Sequence, residues 1–198
     1  LQRTFIRPTV FTYSGFPIFW VASWLNAKPE VYLWEKIRPL DPIPASYRAK
    51  FSNAQAALGL AGLARLPEWI ARTRSHAQTL DALLRDIPGV TLPAVPPDRT
   101  HVYYQYCAYV PSHEDLVRTC IRKGVDVAPM HVDVCTRVDL FQWQGPRAEG
   151  AERAANAVQI PVYESLAQHE VERIGHSVRN ALLQQTLRAR VAVGGQSV

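Results

Sequence analysis

From Ser52 onward the sequence alternates between helical periodicity and short runs rich in β-branched and aromatic residues, and this alternation most constrains the fold. Four such runs predict strands: 90–92, 101–110, 125–128 and the VQIP stretch at 158–161. The helical segments between them are longer and more numerous. Strands that alternate with helices are typical of α/β domains. We therefore predict a helix-rich α/β fold, a two-layer open sheet with its helices mainly on one face.

Start and stop signals outline the helices. Ser52 is predicted as the N-cap of an Ala/Leu-rich helix, and Pro67 is expected to open a second helix over about 68–85. A short helix is predicted from about 148 to 157. The last helix is predicted to bury four apolar side chains at positions i, i+3, i+7 and i+11: Val171, Ile174, Val178 and Leu182.

Two helices have predicted capping boxes, in which a hydroxyl side chain and the side chain three residues later both bond to the backbone. Ser112 pairs with Asp115 in the first box, and Ser165 pairs with Gln168 in the second. The helix after Ser112 is expected to end at Gly124, since glycine readily adopts the left-handed conformation of a helix C-terminus.

The first fifty residues differ from the rest. Val10–Leu25 contains sixteen residues without a charge, and Gly15 and Pro17 interrupt it. It is too short for a convincing membrane span. Its aromatic residues would suit an interfacial anchor, but such anchors usually carry a basic polar face, which this stretch lacks. We therefore favour the alternative that it is buried against another domain or subunit.

Clustered prolines indicate where the main domain begins. Three prolines between residues 39 and 44 predict an extended connector. We predict three parts: a connector over 1–50 that packs on another domain or on a partner, a main domain over 51–193, and a loose tail over 194–198.

Charge and composition exclude several classes of protein. The 198 residues include 22 Lys+Arg and 17 Asp+Glu, a net charge of +5, and 47% of them are hydrophobic. These values exclude a chain that is disordered throughout. The basic residues are scattered among carboxylates, so a nucleic-acid-binding surface is not predicted. Three cysteines without a CxxC pair, and no recognisable leader, favour a cytoplasmic location.

The sequence contains no motif of a self-sufficient active site. The GxGxxG, Walker, GxSxG and HExxH patterns are all lacking. His131 and Cys135 have a spacing that suits metal, but two ligands are too few for a zinc site, so no metal is predicted. The spacing gives no support to a Cys–His nucleophile pair built on Cys107 or Cys135. From the residues alone, the chain is an α/β domain without a complete active site.

Three segments, taken together, are similar to a known family. They read RAKFSNAQAALGLAGLARL, then HVYYQYCAYV with a helix and GVDVAPMHVDV, then AERAANAVQIPVYESLAQHEVERIGHSV. In this order and spacing they resemble the C-terminal part of the DegT/DnrJ/EryC1/StrS family, which comprises sugar aminotransferases of the aspartate-aminotransferase fold (fold type I) that depend on pyridoxal phosphate (PLP). The resemblance covers about Arg48 to Leu183. It implies that the chain is the small domain of such an enzyme.

The resemblance also implies a large N-terminal domain, upstream of Leu1, that carries the Schiff-base lysine and binds PLP. The lysines of this chain are Lys28, Lys36, Lys50 and Lys123, and none stands in the family's lysine motif. Without that lysine, the chain is not expected to bind PLP or to catalyse transamination alone. We therefore predict no catalytic residue here.

Family members carry an Asn-Tyr-Arg-Met-Ser sequence before the corresponding helix, and its Asn reaches the cofactor phosphate of the partner subunit. The resemblance makes Arg48, Lys50, Ser52 and Asn53 the predicted contacts to that phosphate. Arg48 replaces the Asn and Lys50 replaces the Arg, and either cation would serve a phosphate. Two alternatives stay open: residues 46–48 align with the family's Asn-Tyr-Arg, or the two cations only flank the helix.

The family's loop after the Gly-Ile strand often holds a His-Tyr pair that lines the sugar-nucleotide pocket. Met130 and His131 occupy that place, with only the His retained. The resemblance therefore makes His131 the foremost substrate-binding candidate, together with Met130. His101 matches a His that opens a strand in the family, and we include it as a candidate although we favour a structural role.

The resemblance implies a homodimer with its sites at the subunit interface, and transfer of an amino group to a keto-sugar attached to a nucleotide. The positive net charge fits an anionic nucleotide-sugar. Two alternatives remain. One is a free-standing, non-catalytic interaction module derived from that domain, and the other is peripheral membrane attachment through the aromatic residues of 11–24.

Overall fold

The computed structural model describes residues 11–25, 41–43, 45–130 and 132–194. A π-helical turn, Phe11–Gly15, leads into helix α1 (Phe16–Trp24). The remaining helices are α2 (Asn53–Leu84), α3 (His113–Arg122), α4 (Glu149–Ala155) and α5 (Gln168–Gly194). The strands are β1 (Tyr106–Tyr109), β2 (Ala128–Pro129) and β3 (Ala157–Ile160), and short 3-10 turns span Ala45–Arg48, Cys135–Arg137 and Asp139–Phe141.

The three strands form an antiparallel sheet in the order β1-β3-β2. Tyr106 pairs with Ile160 at one end of β1, and Tyr109 pairs with Ala157 at the other end. Alternate side chains of β1 are buried in the helical layer, while those between them lie half-buried on the outer face. The predicted helix-rich, two-layer α/β fold is confirmed.

Helices α2, α3 and α5 supply half of the buried residues of the core cluster. The four predicted α5 side chains are at most 5% exposed, which confirms the stripe: Val171, Ile174, Val178 and Leu182. They share one cluster with Leu80 and Leu84 of α2 and Leu116 of α3. A Cβ on Gly175 would lie 2.5 Å from Leu83 Cδ1, so the missing side chain lets α2 and α5 approach closely.

The prediction of two helices around Pro67 is wrong, because α2 is one helix of 32 residues with Pro67 inside it. Proline cannot donate the bond to the carbonyl four residues earlier. Alanine and leucine, which favour helix strongly, lie on both sides of that position and carry the helix past it. The predicted N-cap is correct. Ser52 Oγ accepts from Gln55 N–H, and Gln55 Oε1 accepts from Ser52 N–H.

Neither of the other two capping boxes forms as predicted. Ser112 is the N-cap of α3, but its hydroxyl donates to Asp115 Oδ2 at 3.1 Å instead of accepting from the backbone. At the start of α5, the carboxylate of Glu170 accepts from Ala167 N–H at 2.8 Å, so that Glu rather than Gln168 closes the helix end. A carboxylate makes a stronger bond to backbone N–H than a neutral amide does.

The strands are shorter than predicted. Residues 101–105 precede β1 in irregular conformation, with Tyr103 at a φ of 50°. Residues 90–92 contribute only an isolated bridge between Thr91 and Tyr109. Val125 and Val127 are buried although only Ala128–Pro129 pair in the sheet. The apolar runs therefore identify buried segments correctly but overestimate the length of the hydrogen-bonded strands.

Helix α1 packs on α3, with Ala22 and Ser23 buried at the contact. It is the longest described element of the predicted connector, whose packing on another domain or partner stays a prediction. Among the described residues, no helix combines the length and the apolar character needed to cross a membrane.

Candidate functional site

The N-terminal half of α2, residues 53–68, projects from the domain, and we call it the apolar arm. Its side chains are mostly exposed, including Leu58, Leu60 and Leu63 at 62–75%. Thr73 is the first buried residue of α2, 21 positions after Ser52. At 1.5 Å per residue, the start of the helix lies about 32 Å from Thr73. The arm therefore holds its tip well outside the core of its own chain.

The four predicted phosphate contacts meet at the tip of the arm. Arg48 ends a 3-10 turn, Lys50 follows it, and Ser52 and Asn53 begin α2; all four are exposed. The capping box satisfies the N–H groups of Ser52 and Gln55. The helix N-terminus carries a partial positive charge, and the two cations add to it. The tip therefore combines two cations with the positive end of a helix, which favours a bound anion, and its contact with a cofactor phosphate stays a prediction. The described residues around it form no enclosure for a cofactor ring.

His101 lies beside α2 near Thr73, where the helix first becomes buried, and it orders the turn before β1. Its Nδ1 accepts from Tyr103 N–H at 2.8 Å, and its carbonyl accepts from Arg74 Nε at 2.8 Å. The His101 and Tyr103 rings lie 4.5 Å apart. These contacts fix the left-handed conformation of Tyr103. They give His101 a structural task, and its contact with substrate stays a prediction.

Met130 follows β2 on the outer face of the sheet. Its N–H donates to Ala157 O at 2.8 Å, and its sulfur lies 3.7 Å from Cys107 Sγ and 3.6 Å from Gln159 Nε2. Burial raises the pKa of the Cys107 thiol, which disfavours the thiolate that a nucleophile requires. His131, the foremost substrate candidate, lies outside the described residues.

The structure does not bring the two groups of candidates together. Helix α2 runs beside the β1 segment: Thr73 Oγ1 donates to Val102 O, and farther along α2 Asp81 accepts from Tyr106 Oη. Met130 lies beyond these contacts, at the Tyr109–Ala157 end of the sheet. The tip of the apolar arm extends in the opposite direction. The predicted phosphate contacts and Met130 are therefore at opposite ends of the domain.

Sequence reasoning missed a cleft of about 400 Å³ in the loop after Met130. Its lining residues are Thr136, Arg137, Val138, Asp139, Gln142, Trp143 and Gln144. Arg137 forms an ion pair of 2.9 Å with Glu152, and Trp143 Nε1 donates to Pro146 O at 2.9 Å. A Cβ at Gly145 would lie 2.5 Å from the Trp143 ring, so glycine lets the indole fold back. The sequence signal for this cleft is the Trp-Gln-Gly stretch at 143–145, but the loop has neither helical nor strand periodicity from which its conformation could be predicted.

A second missed feature is the polar contact between Tyr106 and Asp81. The fully buried Tyr106 hydroxyl donates to Asp81 Oδ1 at 2.6 Å. Burial and this hydrogen bond raise the pKa of Tyr106 well above its ordinary value. A phenol held protonated in the core stabilises the domain and is not available for proton transfer at neutral pH. Within the described ranges, no three His, Cys, Asp or Glu side chains converge on a position that could hold a metal ion.

Comparison with known proteins identifies a family match. The model of the DegT/DnrJ/EryC1/StrS aminotransferase family matches residues 26–179. A dTDP-4-dehydro-2,3,6-trideoxy-D-glucose 4-aminotransferase from Saccharopolyspora spinosa is 33% identical over 139 residues, which is 66% of this chain and 34% of that protein.

Solved structures agree with the sequence comparison. The aminotransferase TlmJ from Streptoalloteichus hindustanus has a TM-score of 0.61 and 27% identity, over 66% of this chain and 36% of TlmJ. DesI, solved in the presence of its TDP-sugar product, has a TM-score of 0.60 and 25% identity, over 73% of this chain and 39% of DesI. The chain thus spans little more than a third of the length of the relatives it matches.

Proposed function

The chain belongs to the DegT/DnrJ/EryC1/StrS aminotransferase family, and from this premise we propose that it is the C-terminal portion of a PLP-dependent aminotransferase acting on a nucleotide-linked keto-sugar. The family match over residues 26–179 carries the proposal. The Saccharopolyspora relative, named for a dTDP-linked sugar, supports the substrate class. PLP, when bound, supplies the electron sink through which an amino group is exchanged.

We infer that this chain does not transaminate alone. Lysines that form Schiff bases are desolvated in a pocket or placed beside another cation. Lys50 and Lys123 are both exposed, while Lys28 and Lys36 lie outside the described residues. The Schiff-base lysine in this proposal therefore belongs to the large domain of the enzyme, and the present chain binds around the cofactor rather than reacting with it.

The tip of the apolar arm is the proposed cofactor contact. Arg48 and Lys50 lie beside the N-terminus of α2, where cations and the helix dipole favour a phosphate. Ser52 and Asn53 would add hydrogen bonds from the first residues of the helix. The resemblance to the family implies that this position reaches the cofactor phosphate of the partner subunit in a homodimer, and a tip about 32 Å along the helix from Thr73 is compatible with that reach.

The loop after β2 is the proposed substrate contact. Met130 is held on the outer sheet face by Cys107 and Gln159, and His131 follows it directly. An imidazole can both donate and accept hydrogen bonds, as sugar hydroxyls and nucleotide phosphates require. His131 would orient the sugar-nucleotide, and the positive charge of the chain would attract it. His101 would act at a distance, by ordering the turn before β1.

Two measurements on PLP test the proposal. The purified chain is titrated with PLP by absorbance, reduced with borohydride and mapped by peptide mass spectrometry. We expect no saturable labelling at a single lysine, and labelling of one lysine in the large domain of the complete enzyme. The complete enzyme should aminate a dTDP-linked 4-keto-sugar with glutamate as donor. A single saturable lysine within this chain would contradict the proposal.

One observation favours a second candidate, a non-catalytic interaction module in the cytoplasm. The leucines of the apolar arm are exposed in this chain, and an interaction module would bury them against another protein. A module of this kind would form a stable complex through the arm and would show no amination with any large domain supplied. Amination by the complete enzyme excludes this candidate.

A further inference from the structure

Helix α1 is fastened to the domain by one residue of α3. Arg122 donates from its guanidinium to Ser23 O at 2.6 Å, and its carbonyl accepts from Trp20 Nε1 at 3.3 Å. The same guanidinium lies 4.4 Å from the centre of the Trp24 ring. Three interactions of different kinds therefore hold α1 in a defined orientation, and this orientation decides which side chains face outward.

The outward side of α1 and its preceding turn is apolar and uncovered. Tyr13, Ile18 and Leu25 are 84%, 62% and 73% exposed, and Trp20 and Trp24 keep about half of their surface in solvent. Residues 11–25 contain no charged side chain. Exposed apolar side chains concentrated on one short segment mark a surface that binds another phase or another macromolecule. We call residues 11–25 the aromatic patch.

The sequence on both sides of the aromatic patch is basic. Residues 1–29 include Arg3, Arg7 and Lys28 and no Asp or Glu. The fold adds Lys123, which is exposed directly after Arg122. From the sequence, burial of Val10–Leu25 against another domain is favoured over an interfacial anchor because this stretch itself contains no basic residue. The structure places Lys123 next to Arg122, which contacts α1, and the sequence supplies the other basic residues on either side of the patch.

We propose that the aromatic patch docks this protein on an anionic phospholipid surface, with α1 lying in the plane of the interface. Tryptophan and tyrosine prefer the headgroup region of a bilayer, and lysine and arginine beside them attract anionic lipid. The helix is too short to span a membrane, so it would bind in the interface. The aromatic patch also precedes residues 26–179, the part of the chain that the family shares. Lipid binding is therefore a property of this chain that is separate from the amination chemistry.

Vesicle co-sedimentation with the full chain tests the proposal. The probes are two kinds of vesicle. One contains phosphatidylcholine with about 30% phosphatidylserine, to represent a leaflet rich in anionic lipid, and the other contains phosphatidylcholine alone. We expect binding to the anionic vesicles, with clear weakening at high salt. Tyr13→Ser combined with Ile18→Ser should weaken binding about tenfold, because two side chains no longer leave water. Lys123→Gln should weaken it about fivefold.

Matched variants separate lipid binding from general surface effects. Leu58→Ser with Leu63→Ser removes two equally exposed apolar side chains from the apolar arm, and Arg99→Gln removes an exposed cation from the loop before β1. Both should bind vesicles like the unmodified chain, and circular dichroism should show that all variants keep their helix content. Equal weakening by the control and patch variants would overturn the proposal.

The same proteins distinguish a lipid from a second copy of the chain. If the patch were a protein interface, sedimentation velocity would show self-association that the Tyr13→Ser and Ile18→Ser variant abolishes, and vesicles would not be bound. That outcome overturns the proposal, as would equal binding to both kinds of vesicle. Amination by the complete enzyme is measured without vesicles, so a failure of lipid docking leaves the proposed function untouched.

Discussion

Replacing Tyr106 by phenylalanine tests how the core of the domain is stabilised. Tyr106 is fully buried, and its hydroxyl donates to Asp81 Oδ1 at 2.6 Å. Phenylalanine keeps the ring and leaves a half-buried carboxylate without this donor. A hydrogen bond to a charged group contributes about 2 kcal/mol, which corresponds to a melting temperature about 6 °C lower for a chain of this size. Tyr104→Phe is the matched control, because Tyr104 is 87% exposed.

The pH dependence of the same variant gives a second, independent signal. Burial, and then the bond to Asp81, raise the pKa of Tyr106 far above 10.0. The protonated phenol is therefore favoured by the folded state, and its contribution is complete below pH 10 and declines as pH rises above that value. Between pH 9 and pH 11 the unmodified chain should lose about 1.4 kcal/mol through this group.

Urea unfolding at pH 7, 9 and 11 measures both effects. The Tyr106→Phe variant should be less stable at pH 7, and its alkaline loss should be smaller than that of the unmodified chain by the contribution of this one group. Tyr163, whose pKa is also raised by burial, titrates in both proteins and cancels in the difference. Identical alkaline losses in the two proteins, or equal stability at pH 7, would refute the account of this contact.

Three further predictions concern the helix packing, the arm and the docking of α1. Gly175→Ala should destabilise the chain by about 1–3 kcal/mol in urea unfolding, because its Cβ would meet Leu83, whereas Gly150→Ala in α4, where a Cβ meets nothing within 4 Å, should be neutral or stabilising. In the complete enzyme, Arg48→Gln combined with Lys50→Gln should raise the apparent Kd for PLP about tenfold in absorbance titrations, while Arg99→Gln should not change it. Arg122→Ala removes the two guanidinium contacts to α1, the bond to Ser23 O and the stacking on Trp24, and keeps the backbone carbonyl that accepts from Trp20. It should speed chymotryptic cleavage after Trp20 and Trp24, and Arg118→Ala, which loses only a loose ion pair with Asp115, should leave that rate unchanged.

The parts of the fold that could be predicted are those set by local pattern. The buried stripe of α5 follows from residue spacing, and the N-cap at Ser52 follows from side-chain chemistry. The length of α2 could not be predicted in the same way. Proline is both a good first residue and a tolerated interior one, and the strength of the neighbouring helix formers decided between these roles.

The candidate site was harder to predict because its parts depend on tertiary placement. The exposed cations at 48 and 50 are visible in the sequence, but their position at the end of a projecting arm is not. The cleft beside Trp143 is formed by an irregular loop, where neither helical nor strand periodicity applies. Likewise, the basic residue beside the aromatic patch comes from α3, roughly a hundred positions away in the chain.

The geometry of α2 also limits how a complete site can be assembled. A domain of about 140 residues has a radius of gyration of about 14 Å, and the tip of the arm lies about 32 Å along the helix from Thr73. The contacts from Thr73 to Val102 and from Asp81 to Tyr106 orient the helix so that this tip points away from Met130. If both groups of candidates serve one reaction, the arm of one copy must reach the site to which another copy contributes its outer sheet face. A single copy of this chain, even with a large domain added, would then hold only one of the two contacts at any given site.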